Sequence, residues 1–420
     1  MTAAKPSTPQ ADRPPLKPLD EALAQLLEQA RTLPDTEEVS TFEADGRVLA
    51  QDIVSALQVP AHDNSAMDGY ALRCADVTAG SVLVVSQRIA AGASGESLQP
   101  GSVARIFTGA PIPAGADAVV MQEDCETISA PGEPVQVRVN AAVQPGQWIR
   151  RAGEDVAQGS VVLSKGDRLT PASLGLAASV GRNTLPVVRQ PRVALFSTGD
   201  ELVMPGDVAP ADMKAGAIYN SNRFFLRALL VRLGCLVTDF GIVPDRLDAT
   251  LQALRDASAH HDLILTSGGV SVGEEDHIKP AVQALGSLTL WQIAIKPGKP
   301  FAYGKVGAAH FMGLPGNPVS SFITFLVLVR PFLLLLQGAN QVKTQTIALP
   351  AHFEWPKADK RREFLRVRRN QAGGLDLFPN QSSGVLTSTV WGDGVVENPP
   401  GQAIAAGDLV QFLPFASLMT

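Results

Sequence analysis

Apolar positions recur three and four apart over residues 19–31 (LDEALAQLLEQAR), behind the acidic pair Asp20 and Glu21. That spacing predicts an amphipathic helix whose acidic first turn suits the positive end of the helix dipole. From about 59 to 139 the period changes to two. Short β-prone runs such as SVLVV and AVVMQ, cut by glycine and proline turns, predict a compact, mostly β unit. Over 147–181 a loop-rich stretch leads into a second helix, with Thr170 as its cap, Pro171 in its first position and Gly181 just past its end. This helix is expected to pair with the first one. Neither flanking segment is large enough to bury a core alone, so 17–58 and 140–186 are read as one elongated N-terminal domain into which 59–139 is spliced.

From Val193 the rhythm becomes strand then helix: VALFS, a helix after Asn220, LVTDFGIV, a helix around Leu251, DLILT, and a helix after Asp276. Alternation of this kind predicts a parallel α/β sheet over 187–340. The most apolar stretch, 322–336, contains Arg330-Pro331 and falls short of the roughly 20 apolar residues a membrane span requires. A buried helix bent or broken at Pro331 is expected. From about Thr344 short alternating runs return (TIALPA, EFLRVR, LDLFP, DLVQFLP), predicting a small β-barrel over 341–420. The expected fold class is therefore multidomain α/β plus β: a central parallel α/β domain, a mostly β insertion, an elongated N-terminal domain and a C-terminal small barrel.

Composition narrows the partners. Charged residues make up 18% of the chain, below the roughly 25% usual for soluble domains, so much of it must be buried. A formal net charge of −6 gives no general attraction to a phosphate backbone, and nucleic acid is not an expected partner. Residues 1–16, rich in proline and polar side chains, lack the apolar core of a signal peptide and read as a disordered tail, consistent with a cytoplasmic protein. Cys74, Cys125 and Cys235 show no CxxC spacing, which argues against a disulfide framework or a zinc site.

Ligands of open parallel sheets bind beyond the carboxyl ends of the strands, which directs attention to the loops after VALFS, DFGIV and DLILT. After DLILT comes SGGVSVGEED. Here Ser267, Gly268, Gly269, Ser271 and Gly273 allow backbone to approach an anion, and Asp276 stands near the next helix start. A tight turn is the plainer reading of the glycines. Glu201 and Asp245 follow the two preceding strands, so three carboxylates could converge beside the same loop. Magnesium suits such a set, since it commonly joins one or two carboxylates to substrate phosphates; helix capping by each acid is the alternative. Lys296 and Lys299 sit on the stiff IKPGKP turn, where an ammonium could neutralise phosphate or simply be solvated. Pro315, Gly316, Asn317 and Pro318 shape a rigid turn before the apolar helix. In the insertion, DNSAMDGYA holds Asp63 and Asp68 and RIFTGAPIP holds Thr108. In the terminal unit Arg361, Arg362 and Arg366 lie near Gln381, Ser382 and Ser383, a set suited to a tetrahedral oxyanion or to a solvated basic strand.

Taken together, PAHDNSAMDGYALR, RIFTGAPIPAGADAVVMQE, IRRAGEDV, STGDEL, TSGGVSVGEEDHIKP, IKPGKPFAYGK and GLPGNPVSS resemble, in order and over nearly the whole chain, the molybdopterin molybdenumtransferase (MoeA) family. The resemblance implies a magnesium-dependent reaction in the cytoplasm. The pyrophosphate bond of adenylylated molybdopterin is cleaved, molybdate joins the dithiolene and AMP leaves. It marks Asp68, Thr108, Glu201, Asp245, Asp276 and Lys296 as functional, with Pro315 and Pro318 shaping their loop. To this the residue reading adds Asp245 and Asp276 as magnesium ligands, and Arg361, Arg366, Ser382 and Ser383 as a molybdate site. The family resemblance further implies an elongated homodimer in which one subunit's β insertion helps close the other's cleft, which accounts for the distant Asp68 and Thr108. Transient contact with a molybdopterin adenylyltransferase is expected. Gln292 departs from the lysine of bacterial family members and removes one anion contact. A receptor-clustering scaffold, as in the related gephyrin, and an adenylyltransferase sharing the SGG loop are the other readings; the acidic residues speak against the first, the insertion and terminal unit against the second.

Overall fold

The computed structural model describes residues 15–269 and 277–419. At its centre lies a six-stranded sheet in the order Leu236–Val243, Arg192–Thr198, Leu263–Ser267, Ala309–Leu314, Pro300–Val306, Gly286–Gln292. Its strands are near-continuous apolar runs because both faces are covered. Val193, Leu195, Leu263 and Leu265 face the helix Ser221–Arg232 and the long helix 318–336. Ala194, Phe196 and Ile264 face Leu247–His260 and Ile278–Leu285. The first four strands are parallel, as the alternation predicts, but Pro300–Val306 runs antiparallel to both its neighbours, Ala309–Leu314 and the edge strand Gly286–Gln292. No helix separates Pro300–Val306 from Ala309–Leu314, so the only short connection open to them is a reversal.

The apolar helix is continuous over Pro318–Leu336 and not broken at Pro331. Residues Phe325–Val329 wind as a π-helix just before the proline. A wider turn relieves the clash between the proline ring and the carbonyl four residues back, which in α geometry would kink the helix. By length and composition this helix could cross a membrane, yet 89% of it is buried within the chain. It is also where the first helix docks. Leu19, Ala22 and Leu26 of Leu19–Gln29 join the core built on Phe325, Val329 and Phe332. The expected pairing with the second helix is therefore incorrect. Pro171–Ser179, capped by Thr170, places Ala177 in a separate core with Leu49, Leu163 and Leu185.

The flanking segments are tied together by Thr36–Ser40 pairing with Thr184–Val188 and by Ile53–Val54 pairing with Val161–Leu163. Between them the insertion forms its own six-stranded sheet, Ala118–Met121, Gly69–Leu72, Ser102–Ile106, Val82–Ile89, Gln136–Val139, Cys125–Ile128. The C-terminal strands order as Arg362–Arg369, Gly394–Asn398, Leu409–Pro414, Ile347–Pro350, with Leu375–Leu377 on the outer side of the first. A bridge from Ala351 to Leu375 brings the last strand of that order back toward the first.

Within the central core the Tyr303 hydroxyl lies 2.9 Å from His310 Nδ1, and the imidazole packs edge-on against Phe332. Burial, assisted by nearby Lys305, holds the His310 pKa down to about 4. The unfolded chain, with histidine near about 6.5, then binds more protons than the folded one between those values. Stability should accordingly rise with pH across this window and be lost as pH falls from 6.5 toward 4. His310→Phe is expected to flatten that dependence, as read from urea midpoints collected at pH 4.5 and 7.

Candidate functional site

The carboxyl ends of the parallel strands open onto a cleft of about 690 Å³. Of the residues singled out in the sequence, Glu201, Ser267, Gly268, Gly269, Pro315, Gly316, Asn317 and Pro318 line it. The glycine requirement is steric. Gly268 and Gly269 both take positive φ, and a Cβ would stand 2.9 Å from Thr198 O on the first and 2.7 Å from Ile278 Cγ1 on the second. Bare backbone therefore faces the cleft here. Ser271, Gly273 and Asp276 lie outside the described residues.

Asn222, which pattern reading did not single out, joins the two loops. Its Nδ2 donates to Ser267 Oγ and to the Gly316 carbonyl, each at 2.7 Å. Asn220 caps the helix Ser221–Arg232 by accepting the Arg223 N–H, and with Ser221 it lines the cleft beside that helix start. Thr198 and Ser320 complete the missed set. Asn220 Nδ2 and Thr198 Oγ1 are buried with no hydrogen-bond partner among the described residues. Buried polar atoms are nearly always satisfied, so these two are notable exceptions. The signal was available for Asn220, since an asparagine immediately before an apolar-periodic helix is a strong cap. Thr198 stands in the STGDEL run, of which Glu201 alone was singled out.

Three converging acids are not seen among the described residues, which contain no cluster of three or more metal-binding side chains. Asp245 follows Leu236–Val243, the strand adjacent to the one that leads into Glu201, but does not line the cleft. Lys299 and Lys296 do not line it either, although Pro300 does. The IKPGKP turn instead joins the central unit to the C-terminal sheet, with Lys296 in register with Glu363. Lys296 Nζ donates to Glu363 Oε1 at 2.9 Å and approaches Asp359 Oδ2 at 3.2 Å. Burial alone would lower the lysine pKa, but the hydrogen bonds it donates to these two carboxylates, with their charge, outweigh it and raise it. The expected free ammonium is thus already engaged.

The basic residues of the terminal unit are committed in the same way. Arg361 makes a two-pronged contact to Asp359, 2.9 Å on each oxygen, which holds that carboxyl well below its usual range. Arg362 pairs with Asp20 and Glu397. Arg366 is 1% exposed and spends its donors on Ser388 Oγ, Phe364 O and Ser382 O, while burial pushes its pKa down to about 10. It cannot contact an outside oxyanion directly. Its contact to Ser382 steadies the Gln381–Ser383 turn, from which the Ser383 carbonyl accepts the Val319 N–H at 3.0 Å. Gly384, next in sequence, borders the cleft.

In the insertion, Asp68 Oδ1 accepts both the backbone N–H and the hydroxyl of Thr108, each at 2.8 Å, and the backbone bond leads in lowering its pKa. The pair is solvent-exposed and does not line the cleft of its own chain. Asp63 instead accepts Ala152 N–H and Arg151 Nη1, tying the start of the insertion to the segment that follows it. Gln292 ends the hairpin edge, where its carbonyl accepts Lys17 N at 2.8 Å.

Three family models match the chain in order: the MoeA N-terminal region (domain I and II) over 17–181, a probable molybdopterin binding domain over 194–334, and the MoeA C-terminal region (domain IV) over 348–415. A molybdopterin molybdenumtransferase of Haemophilus influenzae is 41% identical over 414 residues, covering 96% of this chain and 99% of the relative. Another, of Synechococcus elongatus, is 38% identical over 93% of this chain and 97% of its own length. The crystal structure of a molybdopterin biosynthesis moeA protein from Pyrococcus horikoshii OT3 superposes with a TM-score of 0.82 at 30% identity, covering 95% of this chain and 99% of that one.

Proposed function

This chain belongs to the MoeA family, and from that premise we propose that it is a molybdopterin molybdenumtransferase of molybdenum-cofactor biosynthesis that acts on adenylylated molybdopterin. The pyrophosphate bond of that substrate is cleaved, molybdate is taken up by the dithiolene and AMP departs. The observation that carries this reading is the Gly268–Gly269 turn, whose bare backbone and the Asn222-clipped Ser267 face a cleft of about 690 Å³ with Glu201 on its wall. A pterin, rich in hydrogen-bonding edges, suits such a polar floor, and the start of the 12-residue helix Ser221–Arg232 favours a phosphate beside it.

In this reading magnesium is held largely through substrate phosphate. Glu201 and Asp245 follow neighbouring strands at the same sheet edge, and Asp276 follows the third. One or two carboxylates are sufficient for this ion. When bound, it would neutralise charge developing on the phosphates. In this reading Asp245 and Asp276 are its ligands and Glu201 orients the reacting group. Lys299 lies on the turn that leads to Pro300 at the cleft, and the Ser382–Ser383 turn, steadied by Arg366, takes molybdate together with Arg361.

The exposed Asp68–Thr108 pair implies a homodimer, in which the 59–139 insertion of one subunit reaches the cleft of the other. The same reading includes transient contact with a molybdopterin adenylyltransferase that delivers the substrate, and a cytoplasmic location. The elongated domain of 17–58 and 140–186, the central domain of 187–340 and the terminal barrel of 341–420 complete the proposed organisation.

Asp276→Ala is the direct test of the metal assignment. AMP release should fall at least 1,000-fold, on the order expected for losing a charge-stabilising group from a transition state. A correctly folded Asp276→Ala protein releasing AMP at near wild-type rate would remove the acid from the mechanism.

A further inference from the structure

A second, apolar cavity of about 470 Å³ adjoins the cleft. Its walls include Phe224, Phe225, Phe322, Leu386, Val390 and Phe415. The floor is a run of rings: Phe225 meets Phe322 edge-on at 5.6 Å, and Phe322 meets Phe415 perpendicular at 5.4 Å. Two of its side chains are left to solvent, Phe224 at 54% and Val390 at 84% exposure. The cavity is next to the cleft, with Tyr219, Asn220 and Ser221 bordering both. On the opposite wall a single segment serves both, with Gly384 at the cleft and Leu386 and Val390 at the groove.

What separates the two cavities is the start of the helix Ser221–Arg232. Its cap Asn220 is 2% exposed, yet its Nδ2 has no hydrogen-bond partner among the described residues. The order along the surface is therefore a polar cavity, a helix N-terminus carrying an unspent donor, then an aromatic cavity. A molecule with two heterocycles joined through a diphosphate has the matching order. Of the two rings, the pterin needs hydrogen-bonding edges, which the polar cleft supplies. A purine can be held through its π faces alone, since base–aromatic stacking asks for no hydrogen-bond partner.

We propose that the groove lined by Phe224, Phe225, Phe322 and Val390 is the nucleobase subsite, holding the adenine of the adenylylated substrate and of the AMP product, with the diphosphate at the Asn220–Ser221 helix start. This deepens the transferase reading and rests on it for the identity of the substrate. It gives the exposed Phe224 a task that core packing does not.

The test is equilibrium binding of AMP and of ribose 5-phosphate to the full chain and to Phe224→Ala and Phe224→Trp, with sedimentation of each. Phe224→Ala should bind AMP about tenfold more weakly, the scale of one lost base–aromatic stack, and ribose 5-phosphate unchanged. Phe224→Trp, which keeps a π face, should restore AMP binding. Equal weakening of both ligands, unchanged AMP binding, or dissociation of an oligomer by Phe224→Ala without loss of AMP affinity would overturn the subsite; the last result would assign the groove to a second copy of the chain. Turnover separates this from the broader reading. Base-dependent AMP binding in a protein that never cleaves adenylylated molybdopterin keeps the subsite and removes the transferase. Cleavage with an unchanged KM in Phe224→Ala, together with unchanged AMP affinity, does the reverse.

Discussion

Lys296→Met should lower the free energy of unfolding by about 3 kcal/mol and depress turnover with it. Glu363, 1% exposed, accepts Lys296 Nζ at 2.9 Å and Trp355 Nε1 at 2.8 Å, with Asn398 Nδ2 farther away at 3.4 Å. Removing the ammonium leaves a buried carboxylate held by neutral donors only. Stripping one partner from a buried ion pair commonly costs roughly 3–5 kcal/mol, and the lower end applies because the lysine side chain is itself 37% exposed. The same change removes the side-chain tie between the IKPGKP turn and the C-terminal sheet, leaving the backbone pairing of Ile295 and Lys296 with Arg362 and Glu363 to hold it. Urea unfolding gives the stability and steady-state AMP release gives the activity. Adding Glu363→Gln to the variant removes the unpaired charge and should recover most of the stability without the activity. Recovery of both would show that the turn needs no lysine.

The second large effect is expected from a methyl group. In Gly69→Ala the new Cβ would fall 1.9 Å from the Val120 carbonyl oxygen of the neighbouring strand, where Gly69 pairs with Met121. No side-chain adjustment relieves a clash with backbone, so the insertion sheet must separate there, at a cost of about 3 kcal/mol. Asp68 precedes this glycine, and its two hydrogen bonds to Thr108 depend on strand placement. Hydrogen exchange should show the insertion opening, and turnover should fall with it. Gly316→Ala, where a Cβ meets nothing within 4 Å among the described residues, is the stability control.

Periodicity located most elements because their burial is one-sided or complete. The strand–helix alternation after Val193 and the punctuation by Thr170 and Pro171 both correspond to real elements. It did not reveal which core each helix joins. Leu19–Gln29 carries an apolar stripe that fits many surfaces, and only tertiary contact assigns it to the helix 318–336. Pro331 reads as a break because propensity assumes α winding, and the π turn before it is invisible to a period of 3.6. In the site, glycines and prolines were legible because their backbone demands are local. The basic residues were not. Lys296, Arg361 and Arg366 have motif positions that suggest anion binding, yet Asp359, Glu363 and Ser388 engage them from elsewhere in the fold. Asn222 shows the converse, an ordinary helix residue whose amide ties Ser267 to Gly316.

The central claim is that the cleft beneath Gly268 and Gly269 cleaves adenylylated molybdopterin and couples that cleavage to metal uptake. Purified chain would be mixed with adenylylated molybdopterin and molybdate, with and without magnesium, while AMP and molybdenum cofactor are quantified together. Magnesium-dependent AMP release in step with cofactor formation is the predicted result. Persistence of uncleaved substrate in the presence of magnesium and molybdate, or its synthesis from ATP and molybdopterin, would contradict the account.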